Sequence, residues 1–259
     1  MKAIFNKTIL AMSILAVSFT ACKKEDVEPD HDHDHTGNGT VSINLKHHWG
    51  MSSDTFKLNT QYIHPMNGDT MTFSTYKYYI SNFKLKKADG TWFVHPESYF
   101  LVDLSNNASG TLNLGSIPEG EYTEMEYTMG VDSTRNCSGA QTGALSTTNN
   151  MFWSWNSGYI MIKAEGQSPN AAMGDFAFHL GGYKGDFNVV TKKTASFSSN
   201  NLTVTADKNS QIHFNVNTAM TWCNSGSCAG TSMIMMPGEL AKLMATDFYA
   251  GISFSHLVE

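Results

Sequence analysis

The chain has 259 residues, 17 basic and 23 acidic, for a formal net charge of −6. That acidic balance argues against nucleic acid as a partner, because phosphate binding needs a basic surface. Charged residues are only 15% and glycines number 21, as expected of short strands joined by polar turns.

Residues 1–21 read as a secretory signal. Lys2 and Lys7 give a positive start, and Ile9 to Phe19 an apolar run that falls short of the roughly 20 residues a membrane-spanning helix needs. The stretch from Ser18 to Cys22 resembles a bacterial lipobox, with Phe19 where Leu is usual. Cleavage before Cys22 and lipidation of its thiol are expected, which anchors the protein to the outer membrane of the cell envelope. An ordinary signal peptide with a chance cysteine is the alternative. Without residues 1–21 the chain keeps 15 basic and 23 acidic residues, a charge of −8. No basic amphipathic helix is evident, so membrane contact is assigned to the lipid alone. Residues 22–39 are charged, lack aromatics and end in Gly-Asn-Gly, the composition of a flexible tether. His31, His33 and His35 alternate with aspartates there; this is either a weak collector of metal ions or a solvated spacer.

Residues 40–259 show no second break in composition and are read as one domain. Period-two alternation recurs and helical periodicity is nearly absent before Pro237, so the class is mainly β: an antiparallel sandwich with long loops and at most one or two short helices. The first strand, Val41 to Trp49, puts His47 and Trp49 on the apolar face and His48 on the other. A histidine beside an indole is ordinarily a satisfied core residue; His47, His48 and Trp49 together also suit a late metal. A strand over Phe56 to Tyr62 leads to a turn at Asn67-Gly68, which His64 enters. Met71 to Leu85 makes one or two strands, and further short strands follow up to Met129.

Between Tyr127 and Gly166 lie roughly thirty loop residues, long for a compact domain. They carry Met151, Phe152, Trp153 and Trp155, which do not suit a disordered linker. The loop is read as ordered, delivering two indoles to one place; if it is extended there, Trp153 and Trp155 share a face. Core packing is the ordinary explanation for such a pair. Farther on, His179 lies in a strand ending in Gly-Gly, His213 falls on a polar face and reads as solvated, and the role of His256 is open. Cys223 and Cys228 are expected to pair, leaving Cys137 single; zinc spacing is poor. Met233, Met235 and Met236 are soft copper ligands or core filler. One helix is predicted over Glu239 to Ala245, with Leu240, Leu243 and Met244 on one side.

Four blocks carry a resemblance: Phe73 to Val94, with YYISN at Tyr78 to Asn82; Gly130 to Ser133 with Asn136; Met151 to Tyr159, MFWSWNSGY; and Phe178 to Gly182, FHLGG. In this order they resemble the MbnP family, periplasmic or surface proteins named from methanobactin gene cassettes. The resemblance implies a secreted β-rich domain that binds copper. It implies a site of His plus a Trp oxidised to kynurenine, and a di-haem cytochrome c peroxidase-like partner that performs the oxidation. His179 and His47 are the expected ligands, with His48 and His64 in reserve; Trp153 is the first choice for oxidation, before Trp155 and Trp49. The chain departs from the pattern at Cys137, where His is usual after the Asn, and lacks the Cys usually found after the HLG block.

Two functions are thus weighed. The first is copper binding by an anchored envelope protein. The second is a surface module for glycans or proteins, which loop Trp and Tyr also suit. No carboxylate dyad, nucleophile with base, or phosphate loop is evident, so an enzyme is not expected.

Overall fold

In the computed structural model the described residues are 37–138, 141–153, 158–197, 200–206, 208–222, 227–228 and 230–259. Cys22, the histidine tract, Trp155 and Cys223 lie outside them. The strands in the first half are β1 (Asn38–His48), β2 (Gln61–Ile63), β3 (Thr70–Lys87), β4 (Trp92–Val94), β5 (Tyr99–Asp103), β6 (Thr111–Pro118) and β7 (Gly120–Met129). Helix α1 (Ser133–Asn136) follows, then β8 (Phe152–Trp153), β9 (Gly158–Gln167), β10 (Asp175–Gly181), β11 (Thr191–Ser196), β12 (Leu202–Val204) and β13 (Asn209–Asn217). The chain ends with β14 (Met233–Ile234), helix α2 (Glu239–Ala250) and β15 (Ile252–Val258).

Two curled sheets face each other. The smaller has the order β15-β13-β1-β6; the larger runs β11-β7-β3-β9-β10-β14, with β12 beside β7, β8 beside β9, and β2, β4 and β5 along β3. This is the mainly β, sandwich-like architecture expected from the alternation. Two pairings are parallel, β1 with β13 and β10 with β14. The core lies between the sheets. Val41, Ile43 and Leu45 of β1 and Ile212, Phe214 and Val216 of β13 are buried on one side, and Tyr76, Tyr78 and Ile80 of β3 on the other. Each such side chain contributes on the order of 1.5–3 kcal/mol by leaving water. Phe248 of α2 closes the layer against Tyr78, with ring centroids 5.1 Å apart.

Two local expectations change, and one open alternative is decided. Phe56 to Tyr62 does not form a strand: Asn59 takes a left-handed backbone, φ 58°, which a strand cannot hold, and only Gln61–Ile63 pairs. Met71 to Leu85 belongs to a single strand of 18 residues. It is bent at Asn82, φ 54°, where its ladder with β7 shifts register, as at a bulge. The helix runs on to Ala250, and its buried stripe is Ala241, Met244, Ala245 and Phe248; Leu243 is exposed.

Candidate metal centre

Strand pairing divides the expected ligands. His179 on β10 lies opposite Lys163 on β9, which lies opposite Lys77 on β3. Leu180, Ile162 and Tyr78 form the neighbouring row. Laterally paired residues share a face and successive residues alternate, so His179 and Tyr78 point to opposite faces of the larger sheet. His47 meets the Tyr78 hydroxyl through Nε2 at 3.0 Å. His47 and His179 therefore stand on opposite sides of the sheet, and one metal ion cannot take both. Alternation within a strand revealed which way each histidine faced; it could not reveal which sheet each faced.

His47 is buried as expected, and burial lowers its pKa to about 4 against a backbone hydrogen bond at Leu45 that acts in the other direction. It is a neutral core imidazole. His48 faces outward as expected and meets the Gly50 carbonyl through Nδ1 at 3.0 Å, where that nitrogen must donate. His64 is buried with both ring nitrogens engaged. Its Nδ1 accepts from the Met66 and Asn67 amides at 3.3 Å, and its Nε2 donates to the Ala219 carbonyl at 3.1 Å. Both ring nitrogens are thus engaged in holding the turn in this conformation. Trp49 donates to the Ile63 carbonyl at 2.8 Å and packs among Phe56, Tyr62, Phe73 and His64; its role is packing.

The blocks that carry the family resemblance converge on the long loop. Ser81 Oγ donates to the Gly130 carbonyl at 2.8 Å and Asn82 Nδ2 to Asp132 Oδ2 at 3.0 Å. The Tyr99 hydroxyl also donates to Asp132. Asp132 in turn caps α1, accepting from the Thr134 and Arg135 amides. Burial works against the ionised Asp132 carboxyl, but these donors more than reverse that and hold its pKa below the usual value. The buried Asn136 side chain donates to the Val131 carbonyl at 2.6 Å and accepts the Tyr159 amide at 3.0 Å. Residues from the first three blocks thus clamp the two ends of the loop to the sheet.

The clamped loop sets Trp153 at one end of β10. Trp153 is buried, pairs with Gly158, and covers Gly181 so closely that a Cβ there would stand 2.5 Å from its ring. Gly181 lies two residues beyond His179, about 7 Å along the strand at the usual rise. The Gly-Gly end of the FHLGG block is thereby explained: the first glycine makes room for the indole, and Gly182 takes φ 125°. His179 Nε2 lies 2.7 Å from Glu165 Oε1, and Lys163 Nζ lies 3.3 Å from the same oxygen. Burial lowers the His179 pKa, against the pull of Glu165. In the neutral ring Nε2–H donates to the carboxylate and Nδ1 keeps its lone pair. A carboxylate orienting an imidazole in this way is the ordinary outer support of a metal-binding histidine. Burial pushes the Glu165 pKa up, but the hydrogen bond from His179 and the Lys163 ammonium bring it below the usual range. Cys137 is exposed, with Sγ 3.8 Å from the Tyr183 hydroxyl. The Tyr183 ring in turn lies 3.4 Å from where a Gly158 Cβ would stand. Tyr183 thus links Cys137 to Gly158, the strand partner of Trp153.

Cys228 is buried, burial pushes its thiol pKa up to about 11, and its amide donates to Asp69 at 2.7 Å; Cys223, the partner expected for it, lies outside the described residues. Other placements differ from expectation. His213 is half-buried rather than solvated and stacks on His256. Met233, Met235 and Met236 are exposed, so they do not fill the core. Glu165 was not singled out from the sequence, although a carboxylate inside the apolar run of β9 was a usable signal. Asn82 and Asp132 gave no sign of acting together, because they are fifty residues apart. Among the described residues no three His, Cys, Asp or Glu side chains gather into a metal cluster.

A comparison with curated proteins finds no match. Among solved structures the chain is similar to MbnP from Methylosinus trichosporium, at 13% identity and a TM-score of 0.49, with 78% of this chain and 83% of that one covered. The family model named MbnP matches residues 38–236, a span that takes in all four blocks, the clamped loop and the His179 strand. On that match the chain belongs to the MbnP family.

Proposed function

We propose that this is an exported, lipid-anchored copper-binding protein, whose metal centre lies beneath the long loop at the Gly181 end of β10. Membership of a family named for methanobactin, a copper system, supports the cargo. The observation that carries the location is the contact between Trp153 and Gly181, two residues from His179 on the same strand. The donors on that side suit Cu(I): an imidazole at His179 Nδ1 and a thiolate at Cys137, where the resemblance expects a histidine. Two such donors are too few to form a cluster of three, and a Trp-derived group supplies the third. Opening the Trp153 indole to kynurenine breaks its C2–C3 bond and adds an oxygen at each carbon, and water then cleaves the bond from the ring nitrogen to C2 and releases C2 as formate. The aryl amine and ketone left behind are donors that plain indole lacks. The oxidising equivalents come from the di-haem peroxidase-like partner that the resemblance implies. The protein then holds copper for acquisition, storage or delivery and is not itself an enzyme. His47, on the other side of the sheet, takes no part.

The test uses the full chain co-expressed with its partner, with His31, His33 and His35 replaced by Asn. Cu(I) per chain is measured, and each tryptophan is mapped by peptide mass. His179→Ala and Cys137→Ser are each expected to lose the bound equivalent, His47→Gln to keep it, and Trp153 to carry the kynurenine mass change. Full Cu(I) binding by both His179→Ala and Cys137→Ser refutes the location.

A further inference from the structure

The outer face of the smaller sheet carries a second group of donors. His213 of β13 and His256 of β15 are register partners. Their rings stack with centroids 4.5 Å apart and planes 14° from parallel. Ile212 and Phe214 on either side of His213 are buried in the sandwich, so His213 points away from the core, and His256 is exposed. Two stacked imidazoles repel when both are charged; burial and the charge of His256 together lower the His213 pKa.

The hydrogen bonds around the pair fix which nitrogen of His213 is available. Gln211 Oε1 accepts from Asn44 Nδ2 at 2.9 Å. The same oxygen lies 3.2 Å from His213 Nε2, so that nitrogen is the one that donates, and His213 Nδ1 holds the lone pair. His256 Nδ1 lies 3.0 Å from the Ser255 hydroxyl, which serves either tautomer; with Nδ1 protonated, the exposed ring offers the Nε2 lone pair. An amide oxygen, itself held by Asn44, thus orients the His213 ring as outer support orients a metal-binding imidazole. Two imidazole nitrogens bound to one late metal each lie about 2.0–2.1 Å from it and hence about 3 Å apart. Rings 4.5 Å apart reach that spacing by a turn of the exposed His256 ring about its second side-chain torsion, which is broad for histidine, while Gln211 holds His213.

From this geometry we infer that His213 and His256 form a surface site for a late divalent transition-metal ion, best matched by Cu(II), with water completing the shell. Neutral imidazole pairs favour Cu(II) over the other first-row divalent ions. Gln211 is a positioning residue. The site stands apart from the proposed Cu(I) centre, shares no residue with it, and does not depend on any tryptophan oxidation.

The experiment titrates Cu(II) into the full chain with His31, His33 and His35 replaced by Asn, His179 by Ala and Cys137 by Ser. Pulsed electron paramagnetic resonance then counts the coupled imidazoles. One equivalent with two imidazoles is expected. His213→Gln and His256→Gln should each weaken binding at least tenfold and reduce the count to one. Gln211→Met should weaken it several-fold with the count still two. Circular dichroism of each variant confirms that it is folded. The inference is overturned if the parent binds no Cu(II) at tens of micromolar, if its spectrum shows one imidazole, or if either folded histidine variant binds as the parent does.

Discussion

Acid should destabilise this domain through His47. The ring is 5% exposed, lies against the Tyr78 hydroxyl, and has its pKa lowered from 6.5 to about 4 by burial. The folded state therefore resists protonation where the unfolded chain accepts it. The sign follows directly: above pH 6.5 neither state is protonated and stability is at its full value. Between pH 6.5 and 4 the unfolded chain gains a proton that the folded one refuses, and stability is lost. At about 1.4 kcal/mol per pH unit over that window, the loss attributable to His47 is about 3 kcal/mol. Other buried histidines, His64 and His179 among them, are shifted the same way by burial, so the parent's total loss is larger. His47→Gln isolates the one contribution, since Gln does not titrate and can still bond the Tyr78 hydroxyl. Urea unfolding of both proteins at pH 7.5, 5.5 and 4.0 gives the comparison. The variant is expected to be the less stable at pH 7.5 and to lose about 3 kcal/mol less than the parent by pH 4. Parallel losses in the two proteins would falsify the reasoning.

Gly181→Val places carbon where the Trp153 ring now lies, 2.5 Å from its nearest atom. It should cost about 1–3 kcal/mol and shift tryptophan emission to the red; an unchanged spectrum and melting point would show that the indole is not packed there. Asp132→Ala removes the cap of α1 and the acceptor for Asn82 and Tyr99. A loss of about 2 kcal/mol and faster proteolysis between residues 131 and 153 are expected, and equal cleavage rates would sink the clamp. Cys22→Ala should release the protein from membranes into the soluble fraction; continued membrane association would end the lipid-anchor proposal.

Sheet class was legible because alternation is a local property. β1 reads as inward and outward rows in the sequence, and it folds that way: Val41, Ile43, Leu45 and His47 are buried while Lys46 is exposed. The long loop was legible too, since its aromatic residues are incompatible with disorder, and the four blocks carried the family. What alternation cannot encode is how faces from distant strands come together. His47 read as inward and His179 as lying on the face away from Phe176, Phe178 and Leu180, but the sequence could not show that the first faces the sandwich core and the second the loop side of the larger sheet, because burial on both faces of that sheet makes two kinds of interior. Left-handed residues at Asn59 and Asn82 shortened one strand and bent another, in a conformation that Asn tolerates but does not announce. The pairing of His213 with His256 depends on the register between β13 and β15, some forty residues apart in the chain. Only the tertiary structure fixes that register, because it follows from which rows of side chains the opposing sheet can bury.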